Sequence, residues 1–470
     1  MPSLQSRYDA VERHFRARLL ARAVDGLERH DPQFSARRVI TRGQGVALSL
    51  LALAAILATA WSPRTAGAVV MDGLAWWFLA NATFRAILFA MGATATRTPA
   101  SWPLRDDELP VYTILVPLYR EAEVVPRLIA ALSALDYPPA KLDIKLICEA
   151  DDARTIAALG ALDTRFHVLR VPEGGPRTKP RACNYALPFA RGRLLVIYDA
   201  EDRPERDQLR KAAAIFASSP RDIACLQARL NFYNARENVL TRLFAGDYAL
   251  WFDYLLPGLE RAGVPMPLGG TSNHFRIEAL AAIHGWDPFN VTEDADIGIR
   301  LARKDYRVRT FDSTTFEEAP TEIGNWVRQR SRWQKGYMQT WLVHMRNPLQ
   351  LLRNAGVMGF VGFQLFIGGT FVSALLNPIL WIVSVVSFSA AMLGTAHICV
   401  TCLVLGNLFY MALSTLGLFR RRWFALMPAG ALVPLYWGLI SVAFYRAAVQ
   451  LVSRPFHWEK TRHGTSRFTA

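Results

Sequence analysis

Long apolar sequence in this chain is confined to its two ends, and that distribution limits the fold more than any other feature. Gly45–Trp61 and Ala68–Gly92 precede a stretch of mixed texture at residues 103–352, and Val357–Phe388 and Thr395–Phe419 follow it. Each run approaches or exceeds the roughly 20 residues a helix needs to cross a bilayer. The apolar fraction of 52% and mean hydropathy of +0.14 are therefore concentrated at the two ends.

Arginine sets the expected orientation. Residues 1–42 carry nine Arg against five acids, and Arg420-Arg421-Arg422 stops the fourth run. The positive-inside rule puts both segments on the cytoplasmic face, and residues 103–352 with them. The net charge of +15 then follows topology. It points to a membrane face and phosphorylated substrates, not to nucleic acid. Leu4, Tyr8, Val11, Phe15, Leu19, Ala23 and Leu27 predict an amphipathic helix over residues 3–31, lying on the membrane surface. Arg85 interrupts the second run and must face protein or snorkel. Arg446 and Gln450 make residues 425–453 an expected interfacial helix and not a fifth span. No cleavable leader is expected, because the first apolar run starts near residue 45 behind an Arg-rich segment. The five Cys (148, 183, 225, 399, 402) form no paired framework, and Cys399-x-x-Cys402 reads as helix packing.

The middle region alternates short apolar runs with helical patterns. Strands are predicted at Val111–Pro117, Leu142–Cys148, Phe166–Val171 and Leu194–Tyr198, with polar residues at their ends. Such alternation indicates an open, mostly parallel α/β sheet, which binds ligands beyond the carboxyl ends of its strands. Pro117, Asp151, Asp152, Asp199 and Glu201 all fall there.

Those residues suit particular chemistry. Asp199 and Glu201 alternate after a strand, so both carboxylates face one way and suit Mg²⁺ or Mn²⁺ on a diphosphate. Asp151 and Asp152 could meet a base or ribose, or equally cap a turn. Lys179, Arg330 and Arg332 could neutralise phosphate, Arg in bidentate fashion. Displacement at an anomeric carbon needs one carboxylate to take the acceptor's proton, and Asp294 in Thr292-Glu293-Asp294 is the candidate. The leaving group needs cations instead of an acid. Trp333 offers an aromatic face to a sugar ring.

In order, Asp151/Asp152, Asp199-Ala-Glu201, Thr292-Glu293-Asp294 and Gln329-Arg-Ser-Arg-Trp333, the last beginning 35 residues beyond Asp294, resemble the signature of membrane-bound family 2 glycosyltransferases of the cellulose, curdlan and hyaluronan synthase type. The resemblance covers roughly residues 110–464. Pro117-Leu-Tyr119-Arg-Glu121 is similar to the family's nucleotide-contacting strand end, and Lys179 with Asn184 to its K-A-x-x-L-N segment. Leu268-Gly-Gly270-Thr271-Ser272 is similar to the acceptor loop, and Phe456–Gly464 to the loop that closes over UDP. The sequence departs from the pattern at Glu201, at Arg120 (usually Asn) and in Trp458-Glu-Lys460-Thr461.

The resemblance implies a cytoplasmic GT-A (Rossmann-like) α/β catalytic domain with interfacial helices, joined to a transmembrane region of about four spans. Its segments would be a cytoplasmic amphipathic stretch (1–42), two spans (43–94), the GT-A domain (103–320), interfacial helices (321–356), two spans (357–424) and an interfacial helix with a gating-like tail (425–470). Nucleotide and diphosphate would contact Pro117, Tyr119, Glu121, Asp151, Asp152, Lys179, Asp199, Gln329, Arg330, Arg332, Trp458, Lys460 and Thr461. The acceptor would contact Gly270, Thr271, Glu293 and Trp333, and Asp199 and Glu201 would hold the metal. The expected activity is that of a hexosyltransferase: processive, inverting polymerisation of a UDP-sugar, foremost UDP-glucose, into a β-glucan at a bacterial inner membrane. The alternative is addition of one sugar to a lipid or other membrane-proximal acceptor. Expected partners are donor, glycan acceptor and bilayer, with export proteins or a homo-oligomer as further candidates. A transporter or scaffold that merely binds nucleotide would have no use for Asp294.

Overall fold

The computed structural model describes residues 4–95, 103–160, 162–389, 395–464 and 466–467. Cys399 and Cys402 lie outside the residues whose side chains are described. Eight strands form one sheet: β1 (Tyr112–Leu118), β2 (Leu142–Glu149), β3 (Phe166–Val171), β4 (Leu194–Ile197), β5 (Arg203–Pro204), β6 (Ile223–Phe232), β7 (Asn273–Arg276) and β8 (Arg307–Glu317). Their order is β3-β2-β1-β4-β7-β6-β8-β5. The four expected strands are β1 to β4 and pair in parallel. The other half is mixed: β7 runs antiparallel to β4 and β6, and β8 parallel to β6 but antiparallel to β5. The expected mostly parallel sheet is therefore correct for one half only.

β1 and β2 are apolar because both faces are covered. Leu128, Leu132, Leu209 and Ile215 pack one face from helices Val125–Ser133 and Gln208–Ser218. Ala182, Tyr185, Leu280, Ile297 and Leu301 pack the other, from helices Lys179–Ala186, Ile277–Ala282 and Glu293–Ala302.

The first helix, Leu4–His30, turns Tyr8, Ala23 and Leu27 of its apolar stripe to protein, while Val11 and Phe15 stay exposed. Tyr8 and Ala23 join the core beneath the sheet. The Gln5 amide donates to the Val168 carbonyl at 2.9 Å and accepts from the Val168 N–H at 3.2 Å. Arg170 N–H donates to Glu12 at 3.2 Å. The helix thus satisfies the open edge of β3, a position that otherwise invites pairing with another chain.

Among the described residues five helices are long and apolar enough to cross a membrane: Arg42–Trp61, Pro63–Ala93, Pro348–Val385, Leu403–Arg420 and Phe424–Ser453. The fifth covers the stretch expected to be interfacial. Arg446 and Gln450 sit in its last turns, where they meet Glu459 (2.5 Å) and Lys335 (3.3 Å), so its central stretch stays apolar. Helix Ile323–His344, expected at the interface, is largely buried within the protein, with Trp326 and Lys335 fully so.

Helix Pro63–Ala93 is locked to the catalytic domain by reciprocal glycines. A Cβ at Gly92 would lie 1.9 Å from the Tyr254 carbonyl oxygen, and one at Gly258 would lie 2.2 Å from that of Leu88. Gly258→Ala should overpack this contact and destabilise by about 1–3 kcal/mol, seen as a lower thermal midpoint in detergent. Gly438→Ala is the control, since its Cβ would meet nothing within 4 Å.

Candidate functional site

The chain leaves β4 through Asp199-Ala-Glu-Asp202. Asp202 is buried and folds this loop, accepting from Asp199 N–H at 2.8 Å and from the Thr271 hydroxyl. Thr271 is therefore a support for the acidic loop, while Gly270 beside it reaches the cavity. Lys179, the first residue of helix Lys179–Ala186, donates to Asp199 Oδ1 at 2.5 Å and to the Gly270 carbonyl at 2.6 Å. Burial and the Asp199 charge push Glu201 up to about 8. The same two causes hold Asp202 well above the usual carboxylate range.

Asp294 stands in the first turn of helix Glu293–Ala302, its Oδ1 accepting from Ala295 N–H at 2.7 Å. A Cβ at Gly270 would lie only 3.3 Å from its Oδ2, so the 268–272 loop passes directly against it. Burial raises its pKa, and Lys179 and Arg332 oppose the rise. Neighbouring Glu293 is pushed up to about 8 by burial and by Asp294. Gly336 packs on Thr292 just before these acids: a Cβ there would lie 2.0 Å from Thr292 Oγ1.

Helix Ile323–His344 supplies the opposite charge. Gln329, Arg332 and Trp333 share a face through i, i+3 and i+4 spacing and line the cavity. The Arg332 guanidinium lies 4.7 Å from the Trp458 ring centroid. Arg330, expected to bind diphosphate, also lines the cavity. It is 100° round the helix from Gln329, and its Nη2 is held by Asp247 (2.5 Å) and the Tyr436 hydroxyl (2.6 Å) amid aromatic rings. That pairing leaves it bracing helices.

Residues 454–467 close the remaining side. Lys335 donates to the His457 carbonyl at 2.7 Å, Asn325 brackets Arg462, and Glu318 accepts from Gly464 and Ser466 N–H. Lys460 reaches Glu121 at 2.7 Å and the carbonyls of Tyr119 and Arg120. His463 Nδ1 lies 3.2 Å from Glu201 Oε1, while Gln329 Oε1, Arg332 Nε, Trp458 Nε1 and Thr461 Oγ1 are buried here without hydrogen-bond partners among the described residues. Buried polar atoms are rarely left so, and this cluster suits a polar ligand.

Asp152, left open between a nucleotide contact and a cap, caps helix Ala153–Ala158 through Thr155 N–H and also accepts from Arg120 N–H. Asp151 pairs with Arg177 at 2.8 Å, and that Arg also donates to the Tyr119 hydroxyl at 3.2 Å. Neither Asp is part of the cavity wall. Glu149, two residues before Asp151, is. Sequence reasoning also missed Asp202, Asp247 and His463. Asp202 had a signal in the Asp-Ala-Glu-Asp run; the other two had none.

The remaining expected residues come together around one cavity of about 920 Å³. Pro117, Tyr119, Glu121, Lys179, Asp199, Glu201, Gly270, Glu293, Asp294, Gln329, Arg332, Trp333, Trp458, Lys460 and Thr461 all line it. The cavity then runs on between apolar helices, past Tyr248, Trp251, Tyr337, Tyr410 and Trp437.

A divalent cation fits the acidic end. Asp199 and Glu201 offer hard oxygens beside buried Asp202, and their mutual repulsion raises the protonation of Glu201 and Asp202. Among the described residues no group of three or more metal-binding side chains is assembled. Two carboxylates suffice for Mg²⁺ or Mn²⁺ when substrate phosphate and water complete the shell.

The family model described as "Glycosyl transferase family group 2" matches residues 194–440, more than half of the 470 residues. A "Beta-monoglucosyldiacylglycerol synthase" of Trichormus variabilis is 25% identical over 309 residues, 63% of this chain and 64% of that protein. An Arabidopsis thaliana protein named "Probable glucomannan 4-beta-mannosyltransferase 1" is 25% identical over 240 residues, 49% of this chain and 43% of its own. The match thus spans less than two thirds of these relatives' length. Among solved structures, the mannosyltransferase PcManGT from Pyrobaculum calidifontis, in complex with GDP-Man and Mn²⁺, superposes with a TM-score of 0.54 at 20% identity. That superposition covers 82% of this chain and 98% of PcManGT. It shows a shared GT-A-like, Rossmann-type fold.

Proposed function

The chain belongs to glycosyl transferase family group 2, and from that premise we propose that it moves one sugar from a nucleotide-sugar donor to an acceptor embedded in a membrane, inverting the anomeric centre. The observation that carries this reading is the continuity of the cavity. Its acidic and cationic end meets an aromatic-lined extension between helices long enough to cross a bilayer. A lipid acceptor would lie in that extension, as the lipid-linked name of the Trichormus relative also suggests.

In this mechanism Asp294 takes the proton of the acceptor hydroxyl as its oxygen attacks the anomeric carbon. The bond from that carbon to the diphosphate breaks, and the nucleoside diphosphate leaves with the electron pair. Arg332, Lys179 and Lys460 balance the charge on the departing phosphates, and Gln329, Trp458 and Thr461 bind them. Tyr119 and Glu121 border the nucleotide, and Trp333 lies under the acceptor end. Asp199 and Glu201 would hold a divalent cation, which supplies further neutralisation of the leaving group when bound. PcManGT, solved with GDP-Man and Mn²⁺, supports both the donor class and the metal.

Purified protein in detergent, given nucleotide-sugars, Mn²⁺ and lipid extract, should yield a lipid-extractable product carrying one sugar. Chelation by EDTA should remove turnover, and Mn²⁺ should restore it. A product of many sugars would instead establish the processive β-glycan reading, which the aromatic extension and the glucomannan-type relative also favour.

A further inference from the structure

The deep end of the cavity is walled by aromatic side chains, and one cation faces it. Arg85 comes from the interior of helix Pro63–Ala93 and is 5% exposed. Its Nε donates to Asn81 Oδ1 at 3.0 Å and its Nη2 to Thr370 Oγ1 at 3.2 Å. The rings of Phe366 and Tyr410 lie 5.3 and 5.9 Å from it. Among the described residues Nη1 has no hydrogen bond and no carboxylate lies within ion-pair distance of the guanidinium. Of the other buried arginines, Arg300 pairs with Asp296 and Arg181 with Glu149, while Arg303 meets His344 Nδ1 at 3.1 Å; half-buried Arg330 and Arg421 pair with Asp247 and Asp253.

The placement of Arg85 is built from three segments. Asn81 is itself fixed, donating to the Leu365 carbonyl at 2.6 Å. Gly369 leaves room for it, since a Cβ there would lie 1.9 Å from Asn81 Nδ2. A guanidinium held this firmly in an apolar wall, with one amine uncommitted, lacks an anion. Its planar fork matches phosphate. Asp294, Tyr337 and Arg85 all line the same cavity.

We infer that Arg85 binds the phosphate of the acceptor, which is an anionic lipid presenting a headgroup hydroxyl to Asp294. This rests on the transfer reading above and names its substrate class. The apolar walls select lipid phosphate over a soluble phosphate ester. The step keeps its balance: the headgroup hydroxyl loses its proton to Asp294, its oxygen bonds the anomeric carbon, and the nucleoside diphosphate departs. The phosphate on Arg85 is a spectator that orients the hydroxyl.

The test uses full-length protein in detergent with phosphatidylglycerol, diacylglycerol or sn-glycerol 3-phosphate as acceptor. Wild type should glycosylate phosphatidylglycerol in preference to the other two. Arg85→Gln should raise the KM for phosphatidylglycerol about ten- to hundred-fold, with the donor KM and donor hydrolysis unchanged. Arg85→Lys, which keeps the charge and guards against a folding defect, should fall between. Quenching of tryptophan fluorescence by phosphatidylglycerol reads binding apart from transfer. An unchanged KM in Arg85→Gln, equal loss on neutral and anionic lipids, or equal use of sn-glycerol 3-phosphate would each overturn the inference. Arg85-dependent lipid binding without transfer from any donor would uphold the anion site and defeat the transfer reading.

Discussion

Asp294→Asn should lower kcat for sugar transfer by about 10²–10⁴-fold, the usual contribution of a general base, while nucleotide binding persists. The amide is nearly isosteric with the carboxylate and keeps an oxygen to accept from Ala295 N–H, so the helix start should survive. What it loses is the ability to accept the acceptor's proton. The same group predicts the pH profile of the wild type. Burial raises the Asp294 pKa above the usual carboxylate range, and a base works only when ionised. Turnover should therefore fall as pH drops through that raised value, giving an acid limb less acidic than an exposed aspartate would give. Turnover of Asp294→Asn should lack this limb. Full turnover in the variant, with unchanged product, would remove Asp294 from the mechanism.

Gly336→Val should be the second large effect, although Gly336 touches neither donor nor acceptor in this mechanism. A Cβ at this position would lie 2.0 Å from Thr292 Oγ1 and 2.5 Å from Thr292 Cγ2. Real Cβ atoms do not approach so closely, so helix Ile323–His344 and the start of helix Glu293–Ala302 must separate. That contact sets the spacing between Asp294 on one helix and Arg332 on the other. A shift of about 1 Å in reacting groups can cost on the order of 10² in rate, so kcat should fall by about that factor, with the donor KM changing less. Adding Thr292→Gly removes the colliding atoms and should restore much of the loss. If the double variant stays as slow as the single one, the contact does not set the geometry.

The parts of the fold that were legible in the sequence are those with two-sided burial or unbroken hydropathy. β1 to β4 are short apolar runs because helices cover both faces, and the long apolar helices are readable from unbroken hydropathy alone, Arg42–Trp61 having no residue buried in the protein. β8 was hidden because Arg307–Glu317 mixes arginines and threonines with only Val308 and two Phe, so its pattern resembles a loop. β6 carries Gln227, Arg229 and Asn231, whose partners come from distant segments. Helix Phe424–Ser453 was read as interfacial from Arg446 and Gln450, and its apolar stretch lies ahead of both.

The site divides in a similar way. Asp294, Asp199 and Glu201 could be placed by spacing, because each sits where a strand or helix begins or ends, and Arg332 by its place in the Gln-Arg-Ser-Arg-Trp run. Arg330 could not be told from Arg332 by residue type. Its partner Asp247 is 83 positions away in sequence. Asp152 was left open between cap and ligand, and Thr155 N–H makes it a cap.

The docked segment 454–467 has a consequence for how the protein is made. It supplies Trp458, Lys460 and Thr461 to the donor side, yet it follows all five apolar helices in the chain. A ribosome therefore delivers the sheet, the acids and the apolar helices before the donor side can close. A nascent chain halted anywhere before this segment should hold nucleotide-sugar poorly, so transfer would begin only after the apolar helices have been synthesised.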